Sequence, residues 1–198
     1  MTIRRGEPWG EAVDRPDDVP SLEDDAAASD AVARGVRSFA VRGGDLARTM
    51  GRTAAVDDTA VKAPVDLLRV RADGEATVAV AHVVARRRWV GWWRGPVVLA
   101  MNAQFLGDYD VAPRSHPNDG KVDVLTVAPS MSLRHRVHAR RRARTGTHLP
   151  HPDLTMTQGP LHRATFDRAV DVWVDGRRWR SCTELVVEVE SDALTVYA

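Results

Sequence analysis

Two carboxylates flank a glycine turn in the stretch DVAPRSHPNDGKVDVLTV, residues 110–127. Asp119 and Gly120 form the turn, and Asp123 follows at the start of an apolar strand. A hard cation such as Mg²⁺ prefers oxygen ligands, which one carboxylate and the backbone carbonyls of a tight loop can supply. An Asp-Gly pair is also typical of a structural turn or hairpin. On these residues alone the structural turn is favoured over a metal site.

Two basic segments are candidate binding surfaces. The segment RRRWVGWWR, residues 86–94, interleaves arginine and tryptophan as membrane-interface and base-stacking surfaces do, and tryptophans that fill a core would explain it as well. A helix expected near 132–144 is rich in arginine, which could contact the phosphates of lipids or nucleic acid. A solvated face is the favoured interpretation of this helix.

The histidines and the cysteine give weaker signals. His135 and His138 lie three residues apart, whereas His148 and His151 flank a proline close to Asp153. A zinc site among them is a minor alternative, because no cysteine lies nearby. The lone cysteine, Cys182, has no histidine partner in the sequence and is expected on a strand.

The segment RGGDLARTMG indicates a glycine turn that opens a helix. Asp45 is the predicted N-cap and Gly51 the predicted stop. A strand, a glycine turn and a helix together can hold a phosphate at the helix N-terminus. Two adjacent glycines, Gly43 and Gly44, support that weakly, and a plain turn is the favoured interpretation.

Composition limits the class of protein. The 198 residues are 43% apolar and carry a net charge of +1, which suits a globular core and argues against a strong overall attraction to nucleic acid or membranes. With one cysteine, no internal disulfide can form. We find neither an apolar run long enough to span a bilayer nor a signal-peptide core, so we expect a cytoplasmic protein. Arginine far outnumbers lysine, which suggests a GC-rich bacterial genome.

The patterns predict an α+β fold that is mainly β. Ser21 is a candidate N-cap for a helix over 22–34, followed by a short strand and the helix that begins near Asp45. Strands joined by tight turns then dominate, among them a hairpin at Asp73-Gly74. The predicted parts are an irregular acidic arm (1–20), a small helix-strand-helix unit (21–63) and an antiparallel β-sandwich-like domain (64–198) with one additional helix near 132–144.

The order of the motifs resembles the diacylglycerol kinase family of bacterial lipid kinases. The stretch VVLAMNAQFLGDYDVAPRSHPNDGKVDVLTV is similar to the family pattern of an asparagine after a strand, an apolar glycine segment and AP-A---DG-LDV. Here those features are Asn102, Gly107, Asp119 and the VDV that contains Asp123. The segment GGDLARTMGR is similar to the end of the family's GTGNDLARTLG segment. The segment RTGTHLPHPDL is similar to the family's Gly-x-His segment, and VDVWVDGRRW is similar to its v-vDGE strand. The resemblance covers residues 36–198.

The resemblance implies a fold and a reaction. Family members join an α/β nucleotide-binding domain to a β-sandwich domain, and between the two they phosphorylate a lipid hydroxyl with ATP and magnesium. Residues 21–63 would then be a remnant of the first domain. The implied cofactor-binding residues are Gly43, Gly44, Asp45 and Asn102, and the implied metal ligands are the Asp119 side chain and the backbone carbonyls of His116 and Lys121.

The chain departs from the family pattern at three places. The GGDGT phosphate loop is absent, the GTGND segment is shortened, and the acid of DGE, the family's catalytic base, is replaced by Arg177. An arginine stays protonated and cannot accept the hydroxyl proton. Asp175 lies two residues earlier, in the turn. We therefore expect no intact catalytic residue and a loss of ATP binding, whereas Mg²⁺ binding remains an expectation.

Three hypotheses follow. The favoured one is a degenerate lipid-kinase-like protein with a binding or regulatory role, whose ligand is an anionic lipid or a phosphorylated small molecule held by Arg177, Arg178 and the arginine helix. The second is a kinase that works with a partner subunit or uses Asp175 or Asp108 as a replacement base. The third is an adaptor for anionic lipid surfaces or nucleic acid.

Expectations about partners are less specific. Sheet edges exposed by a shortened first domain favour a homodimer. Peripheral contact with a membrane is compatible with the basic segments, and no specific nucleic acid is expected because the net charge is close to zero.

Overall fold

The computed structural model describes residues 10–14, 16–51 and 59–198, and strands dominate them, which confirms the prediction of a mainly β, α+β fold. In chain order the elements are β1 (Glu11–Asp14), β2 (Ser21–Leu22), α1 (Asp25–Ala33), β3 (Ser38–Val41), α2 (Gly44–Thr49), β4 (Thr59–Ala72), β5 (Glu75–Ala79), β6 (His82–Arg86), β7 (Val97–Met101), β8 (Phe105–Leu106), β9 (Tyr109–Asp110), β10 (Val122–Val127), α3 (Leu133–Ala143), β11 (Leu154–Gly159), β12 (Leu161–Val174) and β13 (Arg177–Tyr197).

The described strands form one large, mostly antiparallel sheet with the main order β1-β4-β13-β12-β6-β7-β10-β11. β5 pairs with β4, β3 pairs in parallel with β13, and β8 and β9 form a separate ribbon. Val124 of β10 packs in the same core cluster as Leu68 of β4 and Leu185 of β13, although these strands are far apart in the sheet order. The sheet therefore curls over its own apolar face, as in a sandwich.

Tight turns pin the long strands in register. The predicted hairpin at Asp73-Gly74 is confirmed, because both residues have positive φ (46° and 88°) and join β4 to β5. Asp175 and Gly176 repeat this geometry between β12 and β13, with φ of 45° and 82°. Two consecutive left-handed residues match the twist of the strands that they connect.

The first helix differs from its prediction. It spans Asp25–Ala33 rather than 22–34, and the Asp24 side chain caps it by accepting a hydrogen bond from the backbone N of Ala27 at 2.7 Å. Ser21, the predicted cap, lies in β2 instead. Serine and aspartate can both cap a helix. Ser21 belongs to β2, which pairs with β3, and the helix therefore begins after Asp24.

The N-terminal segments join the large sheet directly. β1 lies within the predicted irregular arm and pairs with β4, whereas residues 1–9 and 15 are outside the described part. The predicted boundary between residues 63 and 64 falls inside β4. The division into domains stays a prediction, and so does the homodimer. Among the described helices, none has both the length and the apolar character that crossing a membrane requires.

Candidate functional site: an apolar cavity with a cationic and an acidic end

A cavity of about 450 Å³ lies against the sheet at β6, β7 and β10. Side chains alternate along a strand, so His82, Val84 and Arg86 of β6 all face the cavity. In the register, Val84 is opposite Leu99 and Arg86 is opposite Val97 on β7, and these two residues also line the cavity. The wall is completed by side chains from the rest of the sheet, from the β8–β9 ribbon and the residue after it, and from the segments before and after α3: Leu106, Tyr109, Val111, Leu125, Val127, Met131, His148, Leu154 and Trp173.

A helix and a loop cover the cavity. Helix α3 places Ala139 and Ala143 against it, four residues apart on one helical face. Residues 87–95, which we name the tryptophan loop, contribute Trp92 and Trp93. The tip of this loop faces solvent, and Trp89 is 83% exposed. Both basic segments identified in the sequence therefore border the cavity.

One end of the cavity carries an arginine with no acidic partner. Arg136 is 4% exposed, and its guanidinium donates to the carbonyls of Met131, Gly95 and Ala128 at 2.6–3.1 Å. Its Nη1 has no hydrogen-bond partner among the described residues. Burial lowers the pKa of Arg136, although a guanidinium remains protonated at neutral pH. The charge of Asp153 favours the guanidinium from a distance, but among the described residues no carboxylate forms an ion pair with it, and its hydrogen bonds go to carbonyl groups.

Two further arginines at this end stack on aromatic rings. The Arg86 guanidinium lies 3.9 Å from the centroid of Trp173 and 5.0 Å from that of Trp92. Arg140 stacks 5.0 Å from the ring of Tyr109 and donates to its hydroxyl at 2.6 Å. These contacts hold the cations at the rim of the cavity. Asp171, opposite Arg86 on β12, favours the charge of Arg86.

The opposite end of β6 carries a carboxylate–imidazole pair. Asp45 Oδ2 lies 3.0 Å from His82 Nε2, and the Asp45 oxygens accept a hydrogen bond from the Gly107 N. Burial alone would lower the pKa of His82, but the Asp45 hydrogen bond and the Asp175 charge raise it above its ordinary value. Burial alone would raise the pKa of Asp45, but His82 and Gly107 hold it below its ordinary value. The pair therefore favours an imidazolium beside a carboxylate.

Two buried carboxylates stand behind this pair. Asp25 accepts hydrogen bonds from the N of Asp45 (2.6 Å) and of Leu46 (3.1 Å), and burial together with the Asp175 charge raises its pKa to about 7. Asp175 accepts the backbone N–H groups of residues 80–82 at 2.8–3.0 Å. Burial raises the pKa of Asp175 as well. Several acids thus share one low-dielectric region.

The two ends are separated by the length of β6. Arg86 is four positions after His82, which corresponds to about 13 Å of strand. Apolar side chains line most of the wall between them. This arrangement can hold an extended apolar chain with a polar group at one or both ends.

Gly43, Gly44 and Asp45 are at the start of α2 as predicted, but Asp45 is not the N-cap, which is a correction to the prediction. The cap is Gly43, and the carboxylate of Asp25 takes the N–H groups at this helix end. Gly44 has φ of 95°, and a Cβ there would collide with the Asp25 carboxylate. The absence of a side chain at Gly44 therefore allows the Asp25 carboxylate to approach the start of α2, where the sequence suggested a phosphate.

Asn102 is fully buried beside the strands. Its Nδ2 donates to the carbonyls of Asp66 and Val80, both at 2.9 Å. In this position the side-chain amide connects β4 to the end of β5. A role in cofactor binding stays a prediction.

The loop that contains Asp119 and Gly120 is a turn but not a hairpin, because β10 pairs with β7 and β11 rather than with β9. Asp119 Oδ1 accepts from the N of Lys121 at 3.0 Å, and Asp119 Oδ2 accepts from Gln158 at 3.1 Å. Gly120 has φ of 72° and donates its N–H to buried Asp66 at 2.7 Å. The loop is thus built around Asp66, which the sequence analysis did not single out.

Mg²⁺ at this loop, ligated by Asp119 with the carbonyls of His116 and Lys121, stays a prediction. Burial raises the pKa of Asp119, and it raises that of Asp123 together with the Asp119 charge. A cation would relieve this repulsion, so the donor set fits a hard ion. A nucleotide phosphate at the start of α2 fits poorly, because Asp25 already accepts the N–H groups of Asp45 and Leu46.

The remaining predicted residues lie in ion pairs or turns. Arg177 pairs with Asp30 of α1 at 2.6 Å, and Arg178 pairs with Asp171 at 2.9 Å. Neither arginine lines the cavity. Asp108 is exposed at the turn of the β8–β9 ribbon. The cationic wall is provided instead by Arg136 and its neighbours.

Two groups of three potential metal ligands occur among the described residues. The first is the buried set Asp25, Asp45 and His82, whose carboxylates already accept backbone N–H groups. The second is His135, His151 and Asp153, on and near α3. The sequence analysis named all three members of the second group but could not place them together.

Comparison with known proteins identifies the fold. No family model and no curated protein sequence matches the chain. Its structure is similar to solved structures assigned as diacylglycerol kinases from Bacillus anthracis str. Sterne. Two of these match with a TM-score of 0.66, at 12% and 13% identity, covering 90% of this chain and 77% of theirs. A third matches with a TM-score of 0.65 at 15% identity, covering 90% and 75%.

These matches establish that the chain has a diacylglycerol-kinase-like fold, as the motif order predicted. At 12–15% identity the similarity concerns the fold and not the activity.

Proposed function

We propose that this protein binds a single-chain anionic lipid in its apolar cavity and does not transfer phosphate on its own. The observation that carries the proposal is the cavity itself, which is apolar along its length and has the buried Arg136 guanidinium in its wall. A volume of about 450 Å³ is within the range of small-ligand sites and accommodates one acyl chain.

The charge at the cationic end selects the head group. A buried cation without an acidic partner is costly, and a carboxylate or phosphate placed beside it offsets that cost. Arg136 has a spare Nη1 donor for such a group, and Arg86 and Arg140 add positive charge at the rim. An anionic amphiphile is therefore preferred over a neutral one of the same length.

The tryptophan loop supports loading from a membrane surface. Trp89 is 83% exposed and Val90 is 45% exposed, and arginines 87, 88 and 94 flank them. Exposed tryptophan beside arginine is typical of segments that lie in the headgroup region of anionic bilayers. Because Trp92 and Trp93 of the same loop line the cavity, a lipid extracted at this surface has a short path to its site.

The start of α2 supports the absence of autonomous phosphate transfer. Phosphoryl transfer requires the phosphates of a nucleotide to be held by backbone N–H groups and a cation. Here the Asp25 carboxyl group accepts the N–H groups of Asp45 and Leu46, so these two donors are not free to hold a phosphate. Arg177, at the position of the family base, cannot accept a proton.

The binding proposal is tested with oleate, its neutral matched ester methyl oleate, and tryptophan fluorescence, since Trp92, Trp93 and Trp173 line the cavity. We expect oleate to bind at least about tenfold more tightly than methyl oleate. The variant A139F fills the cavity from α3 and should abolish binding. Its control H138F places the same side chain on an exposed position of the same helix. Equal oleate affinity in A139F and H138F, with both variants folded, would refute the proposal.

Membrane loading is tested by sedimentation with vesicles that contain 30% phosphatidylglycerol. We expect W89A to lower the bound fraction at least about threefold. L161A removes another exposed apolar side chain, on β12 and outside the tryptophan loop, and should bind like the wild type. Equal loss in both variants would show that the loop has no special role.

A second function is favoured by one observation, the Asp45–His82 pair. A carboxylate that orients an imidazole next to a ligand cavity is the arrangement of a general base once the imidazolium has lost its Nδ1 proton. His82 Nδ1 has no partner among the described residues, so it could contact a lipid hydroxyl. Transfer of radiolabelled phosphate from ATP and Mg²⁺ to dioleoylglycerol by the full chain, and its loss in H82N, would establish this kinase alternative. Asp175 is a weaker candidate base because three backbone N–H groups hold its oxygens.

A further inference from the structure

Two histidines and an aspartate converge beside helix α3, and none of the three lines the lipid cavity. Asp153 Oδ2 lies 3.7 Å from His135 Nδ1 and 4.0 Å from His151 Nδ1. The two rings stand edge to face, with centroids 5.3 Å apart and an interplanar angle of 76°. One ligand atom from each residue lies within 4.8 Å of both others.

Rigid backbone holds the three residues. His135 is in the first turn of α3, and its N–H donates to the Ser132 N-cap at 3.3 Å. The segment of His151 and Asp153 is a turn closed by the N–H of Leu154 donating to the carbonyl of His151 at 3.1 Å. The N–H of Ala128 donates to the carbonyl of Asp153 at 2.9 Å, which fixes this turn to the end of β10. The ligand atoms therefore need only side-chain adjustments to meet.

We infer that His135, His151 and Asp153 form a binding site for Zn²⁺ or a similar divalent transition-metal ion. Tetrahedral zinc with bonds of 2.0–2.2 Å separates its ligand atoms by about 3.3 Å, which is slightly less than the distances of 3.7 and 4.0 Å observed here. Two imidazoles and one carboxylate suit Zn²⁺, Co²⁺ or Cu²⁺ and are a poor set for Mg²⁺ or Ca²⁺. A solvent molecule completes the coordination.

Two features limit the affinity of this site. His151 Nδ1 accepts the N–H of Asp153 at 3.1 Å, so metal binding at that atom exchanges one neutral hydrogen bond for a coordinate bond. Arg134 and Arg136 flank His135 in the sequence, and their positive charge opposes a cation. We therefore expect a dissociation constant on the order of 10 µM rather than the nanomolar values of four-ligand structural sites.

The metal would connect two parts of the cavity wall. Arg136 directly follows His135, and Leu154 directly follows Asp153, and both of these neighbours line the cavity. A bound ion therefore ties α3, which covers the cavity, to the start of β11. This assignment does not depend on the lipid proposal, because its test contains no lipid.

The test is titration of the full chain with Zn²⁺, and separately with Co²⁺, in a non-chelating buffer. We expect one equivalent of Zn²⁺ to bind by calorimetry, Co²⁺ to give d–d absorption in the visible region, and excess Mg²⁺ to leave the Co²⁺ band unchanged. H135A should weaken Zn²⁺ binding at least about tenfold and abolish the Co²⁺ band. H138A, which removes an exposed histidine one turn further along α3, should match the wild type.

A Co²⁺ band that persists in H135A would overturn the assignment, and so would the absence of Zn²⁺ binding to the wild type. The variant D45N tests whether Zn²⁺ binds instead to the other ligand group, Asp25, Asp45 and His82. If Zn²⁺ binding is lost in D45N and retained in H135A, the ion sits there instead and the assignment is wrong. Circular dichroism of each variant establishes that the fold is intact.

Discussion

Replacing Asp25 by asparagine should change how the stability of this protein depends on pH. Asp25 is 6% exposed, and its pKa is raised to about 7 from 3.8 by burial and by the charge of Asp175. A buried acid with a raised pKa binds its proton more tightly in the folded state than in the unfolded state. Stability is therefore greatest when Asp25 is protonated in both states and falls as the pH rises from about 4 through 7.

The size of this effect follows from the two pKa values. With 3.8 in the unfolded chain and about 7 in the folded chain, linkage gives a loss of about 3 kcal/mol in the free energy of unfolding between pH 5 and pH 8. Asparagine cannot ionise, so D25N should lack this contribution. D25N also loses one acceptor for the N–H groups of Asp45 and Leu46, which costs about 1 kcal/mol at every pH.

Urea unfolding followed by tryptophan fluorescence at pH 5, 6, 7 and 8 measures both effects. The wild type should become less stable relative to D25N by about 2 kcal/mol or more over this range. D18N, which alters an exposed acid, should keep the wild-type slope. If D25N and the wild type show the same pH slope, the argument that Asp25 carries a buried titration is wrong.

Three further predictions test other parts of the structure by urea unfolding or thiol chemistry. D66A removes the acceptor of the Gly120 and Asp192 N–H groups and should lower the free energy of unfolding by about 2–4 kcal/mol. D119A should lower it by less than about 1 kcal/mol. Equal losses of stability in the two variants would contradict the view that Asp66 builds this loop. R177A should lower the free energy of unfolding by less than about 0.5 kcal/mol, because the ion pair of Arg177 with Asp30 is exposed. A larger coupling energy in the R177A/D30A double-mutant cycle would contradict this. Burial raises the pKa of Cys182 to about 11, so Ellman's reagent at pH 8 should label it only after unfolding; rapid labelling of the folded protein would contradict its burial.

The sequence predicts the fold well where a signal is local. Glycine turns such as Asp73-Gly74 have one conformation in almost any context, and alternating apolar residues identify strands such as β10 and β13. The motif order also led to the correct fold, which the structural matches at identities of 12–15% confirm.

The candidate site is less accessible from sequence, because its residues meet only through long-range pairing. Asp25 reaches the start of α2 across twenty residues, and Asp175 reaches the segment that ends at His82 across more than ninety. In the sequence Asp25 is one of several acids in the first turn of a helix, and His82 is an isolated histidine. The same applies to Arg136, which is one of many arginines in α3 and is distinguished only by its burial.

An internal carboxylate takes over the position where the sequence suggested a phosphate. Asp25 accepts the N–H groups of Asp45 and Leu46 at the start of α2. An intramolecular carboxylate needs no ligand to satisfy these two donors. At the cavity the opposite holds, because Arg136 and His82 keep ring or guanidinium nitrogens without partners among the described residues. Such groups beside an apolar wall gain most from a ligand that is both apolar and charged, which favours an amphiphile over a nucleotide as the partner of this chain.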